Sequence, residues 1–306
     1  MVFLPLRGVP SSPRLRASSE PASFVLFAPS RLRVRTSARQ ALTEAAARFE
    51  FSATPRLDAE LLLAHALGIE RNALLLDLDR PVPASFAGLV ERRAAHEPVA
   101  YITGRRGFWT IELSVGPGVL VPRADSETLL EAAVAHFAGT PGPARVLDLG
   151  AGPGTLLLAA LDQWPAARGL GVDASAAALD YAKANAAALA MDARATFRLG
   201  DWADGVDARF DLILCNPPYI TTGEALPAEV RAYEPAAALY AGADGLDDYR
   251  VLARQIPPLL APGGIACVEI GHEQGAAVTD LFAAQGVQVN LGQDLGGRDR
   301  CMAVTA

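Results

Sequence analysis

The chain has 306 residues, enough for one large domain plus a small one. Hydrophobic residues make up 51% and charged residues 20%, which suits a globular protein with a sizeable core. The net charge of -7 argues against a molecule held mainly by phosphate contacts, so no direct nucleic-acid partner is expected. The 3 cysteines (Cys215, Cys267, Cys301) form no Cys-x-x-Cys pair, and the 4 histidines have no ligand spacing. Neither a disulfide framework nor a metal site is indicated, and reduced thiols in a cytoplasmic protein are the plain reading. No apolar run approaches the roughly 20 residues that span a bilayer, so no membrane partner is expected.

Residues 1–35 carry six arginines against one acid, Glu20, among scattered Ser and Pro. That composition fits an organelle transit peptide, which would make the protein mitochondrial. It also fits a disordered tail or an upstream start, favoured because the rest of the chain is Ala- and Arg-rich as well. The segment is set aside as an N-terminal extension.

Residues 36–98 read as a small helical domain. Thr54 and Pro55 look like an N-cap followed by proline at the first helical position; Leu57, Leu61, Ala64 and Leu67 share a face, and Gly68 ends the helix. A second helix starts near Pro83 and carries Phe86, Leu89, Val90 and Arg93 toward Pro98. No constellation in this domain suggests chemistry, so docking or support is its expected role. Residues 99–123 mix β-favouring types with the punctuation Gly116-Pro117-Gly118 and predict a β-hairpin linker. Asp125 is placed to cap a helix running to Phe137. From Ala144 onward, short apolar runs (RVLDLG, GLGVD, ATFRLG, FDLILC, GIACVEIG) alternate with helical stretches. That pattern predicts an α/β fold with a parallel, Rossmann-like sheet covered on both faces, over residues 124–306.

DLGAGPG, Asp148 to Gly154, follows the first of these strands and precedes a helix. Gly150, Gly152 and Gly154 permit positive φ and clear the backbone for a ligand at the sheet's carboxyl edge. Asp173 ends the next strand, 19 residues after Gly154, where a carboxylate can accept from both ribose hydroxyls. These features suit NAD and S-adenosylmethionine alike, except that the third glycine slot of the dinucleotide fingerprint is Thr155. After the third strand, Asp201 and Trp202 suit an adenine ring; a capped turn with Trp202 in the core reads equally well.

The fourth strand runs into Asn216-Pro217-Pro218-Tyr219. A conjugated amide or exocyclic-amine nitrogen is a poor nucleophile. Acceptors on its two N–H bonds draw the protons aside and aim the lone pair at a methyl group. Asn216 offers a side-chain carbonyl and Pro217 a backbone carbonyl, and two successive prolines stiffen both. Tyr219 offers a flat face for a planar group. No strong base is required, because the nitrogen becomes acidic once methylated. Orientation should dominate the acceleration.

With these motifs in hand, the chain resembles the HemK/PrmC family, the protein-(glutamine-N5) methyltransferases that modify peptide chain release factors. The resemblance runs from about residue 36 to the end, through GFWTIELSVGPGVLVPRADSE, DLGAGPG, NPPYI, YEPAAALYAGADGLDDYR and DLGGRDR. It implies a seven-stranded methyltransferase sheet whose last strand is antiparallel. It implies S-adenosylmethionine as cofactor, bound by Gly150, Ala151, Gly152, Pro153, Gly154, Asp173, Trp202 and Asn216. It further implies that Asn216, Pro217, Pro218 and Tyr219 grip the glutamine of a Gly-Gly-Gln loop. Separately, a monomer is the expected state. Ala124 stands where the family usually has proline, which should soften that turn without touching the chemistry. Two other readings compete. A nucleic-acid methyltransferase acting on an adenine N6-type amine suits the tetrapeptide but not the acidic charge. A nicotinamide-dependent oxidoreductase, or an inactive nucleotide-binding module, leaves the tetrapeptide unexplained.

Overall fold

The computed structural model describes residues 37–306; the expectation for the extension lies outside the described residues. The described residues form one compact unit. It begins with five helices: α1 (Ala38–Ala46), α2 (Pro55–Leu67), α3 (Arg71–Leu75), α4 (Ser85–Ala94) and α5 (Val99–Thr103). A hairpin follows, β1 (Arg105–Phe108) and β2 (Ile111–Ser114). The linker is therefore not all hairpin. Its first five residues form α5, which buries Ala100, Tyr101 and Ile102 and ends at Gly104 with φ +74°.

The expected buried face of α2 also needs correction. Ala59, Leu62 and Leu63 are fully buried, whereas Leu57 is exposed and Leu61 and Leu67 are only half-buried. The helix is packed by α1, α3, α4 and α5 together, so its core face is broader and rotated from the one a single stripe suggests. Two acids go inside with it. Asp58 meets Arg93 at 2.8 Å, and Glu60 is bridged by Arg56 and Arg71 at 2.7 and 2.8 Å. Thr54 makes no cap bond; its hydroxyl donates to Asp58 instead, at 3.2 Å.

The larger part starts with α6 (Glu127–His136) and continues as β3 (Arg145–Leu149), α7 (Thr155–Gln163), β4 (Arg168–Asp173), α8 (Ala176–Ala188), β5 (Ala195–Leu199) and β6 (Phe210–Cys215). Then come α9 (Ala228–Tyr233), α10 (Asp247–Gln255), β7 (Leu260–Glu269), α11 (Gly275–Ala283), β8 (Gln288–Gln293) and β9 (Asp299–Thr305). The strand order is β5-β4-β3-β6-β7-β9-β8, with β9 antiparallel to both neighbours and the other inner pairs parallel. Val146, Leu147 and Leu149 of β3 and Leu212, Ile213 and Leu214 of β6 are fully buried, because helices cover both faces of the central strands. Asp125 does not cap α6. A 3-10 turn over Ala124–Ser126 precedes that helix, Asp125 faces Arg300 at 3.5 Å, and the Ser126 hydroxyl is drawn to Glu269.

Strand order reverses at β3, which lies between β4 and β6. A crevice opens there at the carboxyl ends of the strands, the usual ligand position in open α/β sheets. The segment after β6 that roofs this edge is fastened to the helical part. Arg93 pairs with Glu229 at 2.6 Å, and the Tyr233 hydroxyl donates to the Ala95 carbonyl at 3.0 Å.

Candidate active site

The glycine turn is tied to its neighbouring strand. The Gly150 and Ala151 N–H groups both donate to the Val172 carbonyl, at 2.9 and 3.0 Å. Gly150 and Gly152 have φ of +75° and +55° and line a cleft with Asp173, Asp201, Trp202 and Asp248. A Cβ on Gly150 would sit 3.2 Å from the Trp202 ring, so the bare backbone is what lets the indole close over the turn. Ala151 and Pro153 line a smaller cavity that adjoins this cleft at Gly150, Gly152 and Asn216. Gly154 lines neither. It caps α7 at φ +87°, and a Cβ there would meet Leu158 at 2.9 Å, so its smallness serves packing.

Asp173 is fixed by two backbone donors, Gly152 N–H to Oδ2 and Ser175 N–H to Oδ1, each at 2.7 Å. Each carboxylate oxygen keeps a lone pair for a ligand hydroxyl. Trp202 holds a left-handed backbone (φ +46°) and its indole N–H donates to Asp248 Oδ1 at 3.2 Å. The ring is half-buried: it packs on the core and also lines the cleft.

Asn216-Pro217-Pro218-Tyr219 leaves the end of β6 at the junction of three adjoining cavities. Asn216 borders all three; Pro218 faces the glycine cleft, whereas Pro217 and Tyr219 line the cavity on the far side, with Leu226, Val230 and Glu269. The Tyr219 carbonyl accepts from Gln274 Nε2 at 3.0 Å, and its hydroxyl lies 3.5 Å from Glu269 Oε1. Burial, helped by the Glu269 charge, pushes the Tyr219 hydroxyl up to about 12, so it stays a neutral donor. Gly245 (φ +72°) packs so closely that a Cβ would collide with the Tyr219 carbonyl and with Gln274 Nε2. Gly245→Ala is accordingly expected to shift the tetrapeptide and cost at least about tenfold in kcat/KM. Steady-state kinetics on a folded variant checks this; unchanged kinetics would disconnect the glycine from the site.

Sequence reasoning missed several residues here. Asp148, 1% exposed, gives Oδ2 to the Leu157 N–H at 2.9 Å, but its Oδ1 is buried without a partner and the residue lines the small cavity. Burial, opposed by the Leu157 bond and reinforced by Asp173, pushes its carboxyl up to about 7. An acid inside an apolar strand was the available signal, and the same is true of Glu269 in GIACVEIG. Because the folded-state value lies above the unfolded one, the folded protein holds the extra proton between about 4 and about 7, and stability falls as pH rises through that window. Asp148→Asn should therefore raise the Tm of the ligand-free protein at pH 8 and leave it nearly unchanged near pH 4. A scan showing equal Tm shifts at both would contradict the assignment.

Fold and cleft together define a methyltransferase that takes its methyl group from S-adenosylmethionine. Among the described residues no helix is long and apolar enough to cross a membrane, and no cluster of metal-ligating side chains occurs. Residues 40–104 match the PrmC N-terminal domain, and residues 125–233 match the methyltransferase small domain. The release factor glutamine methyltransferase of Rhodospirillum rubrum is 46% identical over 255 residues, covering 81% of this chain and 78% of that protein. Its counterpart in Caulobacter vibrioides is 44% identical over 80% of this chain and 88% of its own length, and that of Xylella fastidiosa 45% over 85% and 94%. The chain belongs to the release factor glutamine methyltransferase family.

Proposed function

We propose that this chain methylates the side-chain amide nitrogen of the glutamine in the Gly-Gly-Gln loop of a peptide chain release factor, acting as a monomer in the cytoplasm. One observation carries the reading: Asn216 borders both the glycine-turn cleft and the separate cavity lined by Pro217 and Tyr219, so a single amide is placed to reach a ligand in either. When bound, S-adenosylmethionine would supply an electrophilic methyl group; the glutamine nitrogen that takes it gives up one proton to water, so the product amide is neutral.

The residues present suit that cofactor. Asp173, its carboxylate held by two backbone N–H groups, would accept from the ribose hydroxyls. Trp202 and Asp248 line the same cleft and would flank the adenine ring. The unpartnered Asp148 Oδ1 offers a buried acceptor to a cationic ammonium group, which would hold that carboxyl ionised at neutral pH. Asn216 Oδ1 and the Pro217 carbonyl would accept hydrogen bonds from the two amide N–H groups and turn the lone pair toward the methyl carbon. Tyr219 packs along the amide plane. The helical part, residues 36–98, together with the hairpin linker, is proposed to dock the release factor beside the catalytic domain of residues 124–306.

The test is a release factor in which the loop glutamine is replaced by glutamate. Methyl transfer from radiolabelled cofactor should vanish with that substrate. Undiminished incorporation would refute the amide as target.

A further inference from the structure

Asn216 can serve as an acceptor only if its amide presents Oδ1, and not Nδ2, to the substrate; the two orientations fill nearly the same space. The structure supplies a reason for the choice. Asn216 Nδ2 donates to Ser126 Oγ at 3.1 Å, and the Ser126 hydroxyl donates in turn to Glu269 Oε2. Ser126 and Glu269 are 3% and 1% exposed, so water does not compete for these bonds. An ionised carboxylate only accepts, which commits the single serine proton to Glu269. The remaining lone pairs of Oγ then face Asn216, and only the NH₂ side of the amide can meet them. The reversed amide would set two acceptors against each other with no proton between them.

Resting on the reading above, we propose that Ser126 and Glu269 are positioning residues that form a one-way hydrogen-bond relay and lock the Asn216 carbonyl toward the glutamine amide. The same carboxylate engages the Tyr219 hydroxyl through its other oxygen, so one buried acid organises both ends of the tetrapeptide. The relay depends on the charge of Glu269. Once protonated, Glu269 can donate to Ser126, the serine proton is freed toward Asn216, and the amide can reverse. Burial pushes Glu269 up to about 7 against the Ser126 hydroxyl, with Arg300 and Arg123 lowering it and Asp125 raising it. From α10, the Tyr249 hydroxyl meets the Glu269 backbone carbonyl at 2.9 Å and does not reach the carboxyl group's relay oxygen by that bond. Transfer should therefore weaken as pH falls through about 7.

The experiment compares the full chain with Ser126→Ala, Ser126→Thr and Glu269→Gln on an intact release factor, with cofactor affinity measured by calorimetry. Ser126→Ala should lower kcat by about 10- to 100-fold with cofactor Kd within about twofold of wild type. Ser126→Thr, which keeps the hydroxyl, should recover most of that loss. Wild-type kcat should decline toward low pH with a midpoint near 7, and Glu269→Gln should flatten that limb. A substrate-free readout accompanies the kinetics: the Asn216 side-chain amide signals in a nitrogen-15 spectrum should move between pH 6 and pH 8 in wild type and stand still in Glu269→Gln. Wild-type kcat in Ser126→Ala, threonine as poor as alanine, an acid limb retained in Glu269→Gln, or amide signals indifferent to pH would each overturn the relay. Failure of the wild-type enzyme to modify the release factor is a separate outcome; it refutes the functional reading, while the amide spectrum still decides the relay.

Discussion

Asn216→Ala is expected to lower kcat by about 100- to 1,000-fold, the loss that follows removal of one pre-aimed hydrogen-bond group from a transition state. The nitrogen being methylated is conjugated, and its lone pair becomes available only as the N–H bonds are drawn out of the amide plane. Asn216 and Pro217 come from adjacent residues at the rigid end of β6, so their acceptors need little reorganisation when the substrate arrives. The alanine variant keeps the Gly150 turn and the bonds that hold Asp173, neither of which uses the Asn216 side chain. Cofactor affinity should consequently fall by no more than about tenfold. Single-turnover kinetics with bound cofactor measures the chemical step directly; a rate near wild type would remove Asn216 from the reaction.

Asp173→Ala should act on the other partner, raising the cofactor Kd by about 100-fold or more. Two charge-assisted ribose bonds disappear, each worth about 1.5 to 3 kcal/mol. The Gly152 and Ser175 N–H groups also lose the acceptor that shapes the glycine turn. With saturating cofactor, kcat should recover to within about tenfold of wild type, because the residues proposed to hold the methyl-accepting amide sit at the end of a different strand. Calorimetry shows whether binding, and not turnover, carries the defect. An unchanged Kd would mean that the carboxylate serves only the loop.

The parts of this molecule that could be read from sequence are those whose signals are contiguous. The central strands β3 and β6 are buried on both faces, and such burial writes itself as an unbroken apolar run. The tetrapeptide after β6 stands out for the same reason, since the chemistry proposed for it falls on four neighbouring residues. Edge elements wrote weaker signals. Strand β8, QVNLGQ, has only two apolar residues, Val289 and Leu291, and none of its residues is buried, so its short alternation is a weak signal. Helix α5 is only five residues long and disappears inside a linker of mixed character. The buried face of α2 was misjudged because Asp58 and Glu60 enter the core on the strength of arginines, one of them 35 residues away.

Long-range polar partnerships were the least legible. Ser126 lies 90 residues from Asn216 and 143 from Glu269, and no local spacing relates them. The sequence did contain a hint, a glutamate in the otherwise apolar run GIACVEIG. A buried acid in a central strand is costly unless something compensates it. Its partners could be named only once the chain had been folded.

The central claim is that the acceptors at the end of β6 direct methyl transfer to a glutamine amide. The most direct measurement incubates the protein and S-adenosylmethionine with a purified release factor, and in parallel with RNA and DNA, and locates the methyl group by tandem mass spectrometry. The predicted result is one methyl group on the side-chain nitrogen of the Gly-Gly-Gln glutamine, with both nucleic acids unmodified. A methyl group on an exocyclic base amine, with the release factor left bare, would contradict it.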